Sequence, residues 1–108
     1  MSVGLLPGAE RSHANRHVTV AIPTGLGEAR NALVVCAADA LIAIGGEWGT
    51  LSEIALAMKA GKPVVGLGTW ELARAGRPVE SIERASGPRE AVDAALAAAA
   101  RVQGNQII

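Results

Sequence analysis

The chain has 108 residues, half of them hydrophobic, and its ten basic and ten acidic residues cancel to a formal charge of zero. This length suits a single domain spanning residues 1–108, because independent domains usually need about 100 to 150 residues. A neutral chain lacks the basic surface that binds nucleic acid or anionic membranes, so we expect neither as a partner.

The number of cysteines and the lengths of the apolar segments indicate the cellular compartment of the protein. Cys36 is the lone cysteine, and its apolar surroundings, LVVCAA, favour a small buried side chain over a reactive thiol. A chain without a disulfide framework suits a reducing compartment. The longest apolar region, residues 32–44, is interrupted by Asp39 and falls short of the roughly 20 residues that a membrane span needs. We therefore expect a cytoplasmic protein.

In the first half of the chain, short apolar runs alternate with glycine-rich turns and a helix-like segment. VGLLPG predicts a first strand, and residues 18–22 predict a second that ends at Pro23. Residues 28–38 predict a helix, and ALIAIGG predicts a buried parallel strand. The second strand, this helix and the ALIAIGG strand are expected to form one βαβ unit. The helix has apolar residues at helical spacing, namely Ala29, Ala32, Leu33, Cys36 and Ala37.

The second half of the chain continues the same alternation. Residues 50–60 predict a helix with Gly61 just past its end and Pro63 as a stop. PVVGLGTW predicts another buried strand, and the polar segment ELARAGRPVE is expected to be a surface loop. VESIERA predicts a weak edge strand, Pro88 opens an alanine-rich terminal helix, and QGNQII is expected to fray. This order of elements predicts an α/β fold in which helices and a parallel sheet form three layers.

Two glycine-rich turns each join a predicted strand to a predicted helix. PTGLGEAR contains Gly25 and Gly27, and GGEWGT contains Gly45, Gly46 and Gly49. In a parallel sheet, ligands gather at the carboxyl ends of the strands, where helix N-termini offer free amides and partial positive charge. Neither turn is a complete G-x-G-x-x-G motif, so the pattern indicates a phosphate-binding site without specifying a dinucleotide.

Two charged residues follow these turns, and each has a functional and a structural interpretation. Arg30 falls in the first turn of its helix, where a cation opposes the helix dipole; it either binds a phosphate or carboxylate, or turns away into solvent. Glu53 completes the pattern of a capping box with Thr50, which stabilises a helix by about 1 kcal/mol. Otherwise the Glu53 carboxylate lies in a ligand cleft, where it contacts sugar hydroxyls or acts as an acid or base.

Trp70 lies just past a predicted strand, where it either stacks on a base or covers the core. His13 and His17 are four residues apart but have no acidic ligand beside them, so we expect no metal site.

The stretch from PTGLGEAR through GGEWGTLSE to GLGTW resembles the LOG-type Rossmann-like proteins formerly labelled possible lysine decarboxylases. It resembles in particular a bacterial subgroup of conserved nucleotide-binding proteins that is related to molybdenum-cofactor carriers. The resemblance covers residues 4–70 and, more loosely, the last helix. It implies a Rossmann-like parallel sheet that is shortened at its amino terminus, because family members begin with a further βαβ segment. An incomplete sheet exposes an edge, so we expect a homo-oligomer.

The resemblance also implies roles for individual residues. Phosphoribohydrolases of this superfamily cleave the N-glycosidic bond of nucleoside 5′-monophosphates and carry the signature P-G-G-x-G-T-x-x-E with an upstream arginine. Arg30 falls at the upstream arginine, and the residues that match the signature are Gly46, Trp48, Gly49, Thr50 and Glu53. By this resemblance the glycine turns and Thr50 bind phosphate, while Arg30 and Glu53 are the catalytic residues, which orient the ribose and stabilise positive charge in the transition state. The expected contact of Trp70 with the ligand depends on its position after the strand.

Gly45 and Glu47 depart from the signature, replacing its proline and its second glycine. The resemblance therefore favours a protein that binds a nucleotide or another phosphorylated ligand, with hydrolysis of a nucleoside monophosphate as a hypothesis and no cofactor required for it. The alternative is a non-catalytic carrier of a phosphorylated pterin such as the molybdenum cofactor. A third alternative is a structural fragment with an incomplete site.

Overall fold

A computed structural model describes residues 1–104. Within this range the protein has an α/β fold with parallel sheets and three α-helices. The elements in chain order are β1 (Val3–Leu6), a 3-10 turn (Arg11–His13), β2 (Val20–Pro23), a second 3-10 turn (Gly27–Ala29), α1 (Arg30–Ala37), β3 (Leu41–Ile44), α2 (Trp48–Lys59), β4 (Val64–Leu67), β5 (Ala73–Arg74), β6 (Arg77–Pro78), β7 (Ile82–Ala85) and α3 (Pro88–Gly104).

The chain divides into two compact units, and unit 1 comprises Met1–Ala37. In unit 1, β1 and β2 pair in parallel, with Val3 opposite Val20, and α1 packs on β1. The predicted apolar face of the first helix is wrong, because α1 buries Asn31 and Val35 and leaves Cys36 exposed. Leu33 of the predicted face is exposed as well, and because apolar residues are common on protein surfaces, their helical spacing did not identify the buried face.

Unit 2 comprises Ala38–Ile108, of which the structure describes residues up to 104. Its three-stranded parallel sheet has the order β3-β4-β7, with Leu41 opposite Val64 and Val64 opposite Ile82. The predicted βαβ unit is therefore corrected: β3, α2 and β4 form one, whereas β2 belongs to the two-stranded sheet of unit 1. An apolar strand pattern identifies a buried strand but does not identify its partner.

Helices cover both faces of the sheet in unit 2. Val64 and Val65 of β4 point to opposite faces, as neighbours on a strand must, and both are buried. Val65 packs with Ala91 and Ala95 of α3, and α2 contacts β3 and β4. Unit 2 thus has the three-layer arrangement that the sequence predicts. The single-domain assignment for residues 1–108 stays a prediction.

The end of α2 follows the sequence signal closely. Gly61 has a φ of 73°, its amide donates to Met58 O at 3.1 Å, and the Lys62 amide donates to Ala57 O at 2.9 Å. These two bonds form a Schellman motif, in which glycine accommodates the left-handed conformation that ends the helix.

No helix in the described part of the chain is long and apolar enough to cross a membrane.

The segment predicted to be a loop contains a short hairpin instead. β5 and β6 pair in antiparallel fashion, and the turn between them places Ala75 at φ 50° and Gly76 at φ 78°. Two successive positive φ values are the geometry of a type I′ hairpin turn, and the sequence does not predict this turn because alanine is not typical of it.

Two predictions for the end of the chain are confirmed, the edge strand β7 and the position of Pro88 at the start of α3. α3 extends to Gly104, and the rest of the predicted frayed tail lies outside the described residues.

Candidate functional site

The second glycine turn, residues 45–49, lies between β3 and α2 in unit 2. Gly45 and Gly46 have φ values of 51° and 95°, a region that L side chains rarely adopt. A Cβ added to Gly46 would overlap the side chain of Thr50. Glycine is therefore required at position 46 for two reasons, the positive φ of its backbone and the closeness of the Thr50 side chain.

The predicted capping box at Thr50 and Glu53 is wrong. α2 begins at Trp48, and Glu47 takes the N-cap position without making a side-chain cap hydrogen bond. The first intrahelical bond runs from the Leu51 amide to Glu47 O at 3.1 Å. The box places the cap at Thr50, but here the turn at Gly45 and Gly46 allows the helix to start earlier. Thr50 is consequently the third helical residue.

This earlier start leaves a row of amides available at the site. The first amides of a helix have no intrahelical acceptor, and those of Trp48, Gly49 and Thr50 form no hydrogen bond with another described residue. The N-terminus of this 12-residue helix therefore has unpaired donors and the positive end of its dipole.

A cleft of about 340 Å³ lies beside this turn, also within unit 2. Its lining residues come from the turns after β3 and β4, namely Gly45, Gly46, Glu47, Gly68, Thr69 and Trp70. Both strands are parallel, so their carboxyl ends meet at the same edge of the sheet, where ligands bind in such folds. The structure thus brings Gly45, Gly46 and Trp70 together, whereas Gly49, Thr50 and Glu53 are not among the lining residues.

Two hydrogen bonds join the turns that line the cleft. The Thr69 hydroxyl donates to Gly45 O at 2.6 Å, and the Trp70 indole Nε1 donates to Glu47 O at 3.0 Å. The indole rings of Trp48 and Trp70 lie 5.2 Å apart between centroids and are tilted by 37°. The sequence analysis missed Thr69, and a Gly-x-Gly-Thr run at the end of a buried strand is the signal that could have identified it.

The first glycine turn, in unit 1, offers fewer amides than its sequence indicates. Gly25 and Gly27 have positive φ values of 67° and 57°. Their amides, however, donate to Gly8 O at 2.9 Å and to Pro7 O at 2.8 Å. The role of Gly25 and Gly27 in ligand binding stays a prediction, and any contact through these two amides would require the turn to rearrange.

Arg30 is the first residue of α1, in unit 1. Its side chain is half-buried, and its Nε atom is buried with no hydrogen-bond partner among the described residues. A buried donor without a partner costs about 1 to 3 kcal/mol, and more when it is charged. Full exposure to solvent, one of the two interpretations of Arg30, is therefore excluded for this atom.

Glu53 lies in the second turn of α2 and is half-buried. Its carboxylate makes no hydrogen bond or salt bridge with another described residue, so the structure assigns it no capping role. His13 and His17 lie in unit 1, where the Arg16 Nε donates to His17 Nε2 at 3.3 Å. No group of metal-ligating side chains occurs among residues 1–104.

Comparison with models of protein families identifies the family of this chain. The model of the SLOG cluster4 family matches residues 1–99. The chain belongs to the SLOG cluster4 family. The resemblance to LOG-type Rossmann-like proteins is thereby confirmed at the level of the superfamily, while the bacterial subgroup stays a prediction.

Two relatives extend the comparison of this SLOG cluster4 chain. It is 45% identical over 65 residues to an uncharacterized protein of Archaeoglobus fulgidus, an alignment that covers 60% of the chain and 42% of that protein. It also resembles the solved structure of the molybdenum cofactor binding protein from the phototrophic bacterium Rippkaea orientalis, with 35% identity and a TM-score of 0.77. That match covers 90% of the chain and 61% of the other, and it confirms the Rossmann-like fold. The chain spans less than two thirds of either relative.

Proposed function

We propose that this protein is a cytoplasmic binder of a phosphorylated pterin of the molybdenum-cofactor type, which it carries without cleaving it. The proposal depends on one observation, the α2 N-terminus, where Trp48, Gly49 and Thr50 present unpaired amides beside a cleft. Amides of this kind bind phosphate groups because they are donors already oriented at the positive end of a helix. The SLOG cluster4 chain would hold its ligand by the phosphate.

The cleft provides a place for the ring of the ligand. Trp70 lines it, and Trp48 is 73% exposed at its rim. An indole face binds a planar heterocycle by stacking, and a pterin is such a heterocycle. Glu47 also lines the cleft, but it is exposed, and screening by solvent and salt weakens its repulsion of a phosphate.

Two findings favour a carrier over a phosphoribohydrolase. The relative of known structure is a molybdenum cofactor binding protein and matches 90% of this chain. In addition, Glu53, the carboxylate that the signature makes catalytic, does not line the cleft. A catalytic acid or base must lie within hydrogen-bond reach of its substrate, so hydrolysis is the less supported activity.

Titration with a pterin monophosphate tests the proposal, and the same pterin without its phosphate is the control ligand. Trp48 and Trp70 are the only aromatic residues of the chain, so quenching of tryptophan fluorescence reports events at the cleft. We expect saturable quenching by the phosphorylated pterin and much weaker quenching by the other. Gly46→Ala should abolish the difference, because the added Cβ overlaps Thr50 and displaces the turn.

Gly61→Ala is the matched variant, since Gly61 has a φ of 73° but open space around it and lies at the other end of α2. It should lose about 1 kcal/mol of stability and keep its affinity. Equal affinity of the two pterins would refute recognition through phosphate. Release of base from nucleoside 5′-monophosphates that disappears in Glu53→Ala would establish the hydrolase instead.

A further inference from the structure

We propose that Arg84 is a positioning residue that holds Trp70 in place and thereby sets the affinity of the site for the ring of its ligand. This inference rests on the proposed function, because it concerns the same cleft. Arg84 belongs to β7 and does not line the cleft itself. Its effect on the ligand is therefore exerted through Trp70.

Trp70 has three contacts, one from β7 and two from adjacent residues at the start of α2. The Arg84 Nη1 donates to the Trp70 carbonyl at 2.7 Å, and the indole Nε1 donates to Glu47 O at 3.0 Å. The ring also packs against Trp48, the first residue of α2. Trp70 is thus restrained at its main chain, at its ring nitrogen and on its ring surface. Of these restraints, the bond from Arg84 has a charged donor, and such hydrogen bonds are the stronger class.

Gly66 of β4 leaves the space through which the Arg84 side chain passes. A Cβ on Gly66 would lie 3.1 Å from Arg84 Nη1 and 2.9 Å from Thr69 Cγ2. Both distances are shorter than ordinary contacts between carbon and a neighbouring heavy atom. The absence of a side chain on this buried strand residue lets the guanidinium cross the end of β4 and reach the turn that contains Trp70.

The wall formed by Trp70 is linked to the start of α2 through one carbonyl group. Glu47 O accepts both the Trp70 indole and the Leu51 amide, which forms the first bond of the helix. The phosphate-binding amides lie within the helix, and their orientation is set by the helix backbone itself. Loss of Arg84 should therefore loosen the ring contact while leaving the phosphate contact intact.

Three variants test this division. Arg84→Met removes the donors and the charge, Arg84→Lys keeps the charge, and Arg77→Met removes an exposed arginine from the β6 strand of the same unit. Two measurements are made on each: the near-ultraviolet circular dichroism of the paired tryptophans, and the affinity for pterin monophosphate and for inorganic phosphate. Far-ultraviolet spectra verify that each variant is folded.

For Arg84→Met we expect the tryptophan signal to be lost and pterin monophosphate to bind about ten-fold more weakly, the loss expected for one charge-assisted hydrogen bond. Affinity for inorganic phosphate should stay unchanged in all three variants, and Arg77→Met should match the wild type. An unchanged tryptophan signal in Arg84→Met would overturn the proposal. So would a loss of phosphate affinity that Arg84→Lys restores, because Arg84 would then act by its charge.

The test separates this inference from the proposed function. If the wild-type protein binds inorganic phosphate but not the pterin, the proposed ligand is wrong, and the tryptophan signal of Arg84→Met still decides whether Arg84 positions Trp70.

Discussion

Single glycine residues with similar sequence surroundings differ in what their amides can bind. Gly46 permits both the turn and the approach of Thr50, whereas Gly25 and Gly27 use their amides within unit 1. All three glycines look equivalent in the sequence. Their amides differ because acceptors far away in the chain, Gly8 O and Pro7 O, reach those of Gly25 and Gly27, whereas no acceptor among the described residues reaches that of Gly46.

Arg30→Met is expected to change stability and ligand binding in opposite directions. The buried Nε of Arg30 has no partner among residues 1–104, so its removal should raise the free energy of unfolding in the absence of ligand by about 1 kcal/mol. If Arg30 binds the anion, as one of its two interpretations from the sequence predicts, the affinity for a phosphate ester should fall by about 1 to 3 kcal/mol. Urea unfolding and fluorescence titration measure the two quantities.

Arg11→Met is the control for Arg30→Met, since Arg11 is an exposed arginine of the same unit. It should change neither quantity. A less stable Arg30→Met protein with unaltered affinity would show that Arg30 has a structural role and contradict its assignment to the ligand site.

Among the secondary-structure elements, the N-termini of α2 and α3 show how far a capping pattern in the sequence predicts the start of a helix. The sequence predicts a capping box on α2, but the comparable arrangement occurs on α3. There the Ser86 hydroxyl donates to Glu90 Oε2 at 2.6 Å, and the Ser86 amide donates to the same atom at 3.1 Å. Glu90 is the third residue of α3 and reaches back across Gly87, whose carbonyl accepts the Ala91 amide.

Glu90 should make the stability of α3 depend on pH. The hydrogen bond from the Ser86 hydroxyl, together with that from its amide, lowers the pKa of Glu90 below its ordinary value of 4.5. A lowered pKa in the folded state means that the stabilisation is present above the unfolded value and is lost as the pH falls through the folded value. We therefore expect Glu90→Gln to lower the free energy of unfolding at pH 7. When the pH is lowered, the free energy of unfolding of this variant should fall less than that of the wild type.

Urea unfolding at pH 7 and at about pH 3, below the ordinary carboxyl range, measures this effect. Glu80→Gln provides the same charge change at an exposed position outside the helices. If Glu80→Gln and Glu90→Gln shift the two unfolding curves equally, the contact with Ser86 does not stabilise α3.

For the molecule as a whole, the exposed apolar face of the β1–β2 sheet in unit 1 suggests a surface for self-association. Val3, Val20 and Ile22 lie on one face of the β1–β2 pair and are 52%, 42% and 43% exposed. Parallel strands are normally buried on both faces, so this apolar face favours the homo-oligomer that the sequence predicts. We expect sedimentation velocity to show a concentration-dependent oligomer, and Ile22→Lys to shift it toward the monomer.

Val92→Lys is the matched control for Ile22→Lys, because Val92 is 47% exposed on α3 of the other unit. It should leave the sedimentation coefficient unchanged. A wild-type protein that remains monomeric at every concentration, or a Val92→Lys variant that dissociates as readily, would contradict association through the β1–β2 face.

Local features of the sequence by themselves determined the α/β class, the positions of most strands and helices, and the location of the glycine turn before α2. These follow from hydrophobic periodicity and from glycine and proline, which act within a few residues. Three features required the folded structure: the pairing of β3 with β4, the start of α2 at Trp48, and the hydrogen bonds from Thr69 and Arg84 to carbonyls of the turns that line the cleft. Strand pairing and these side-chain bonds join residues 14 to 24 positions apart, and contacts over such separations leave no periodic signal in the chain.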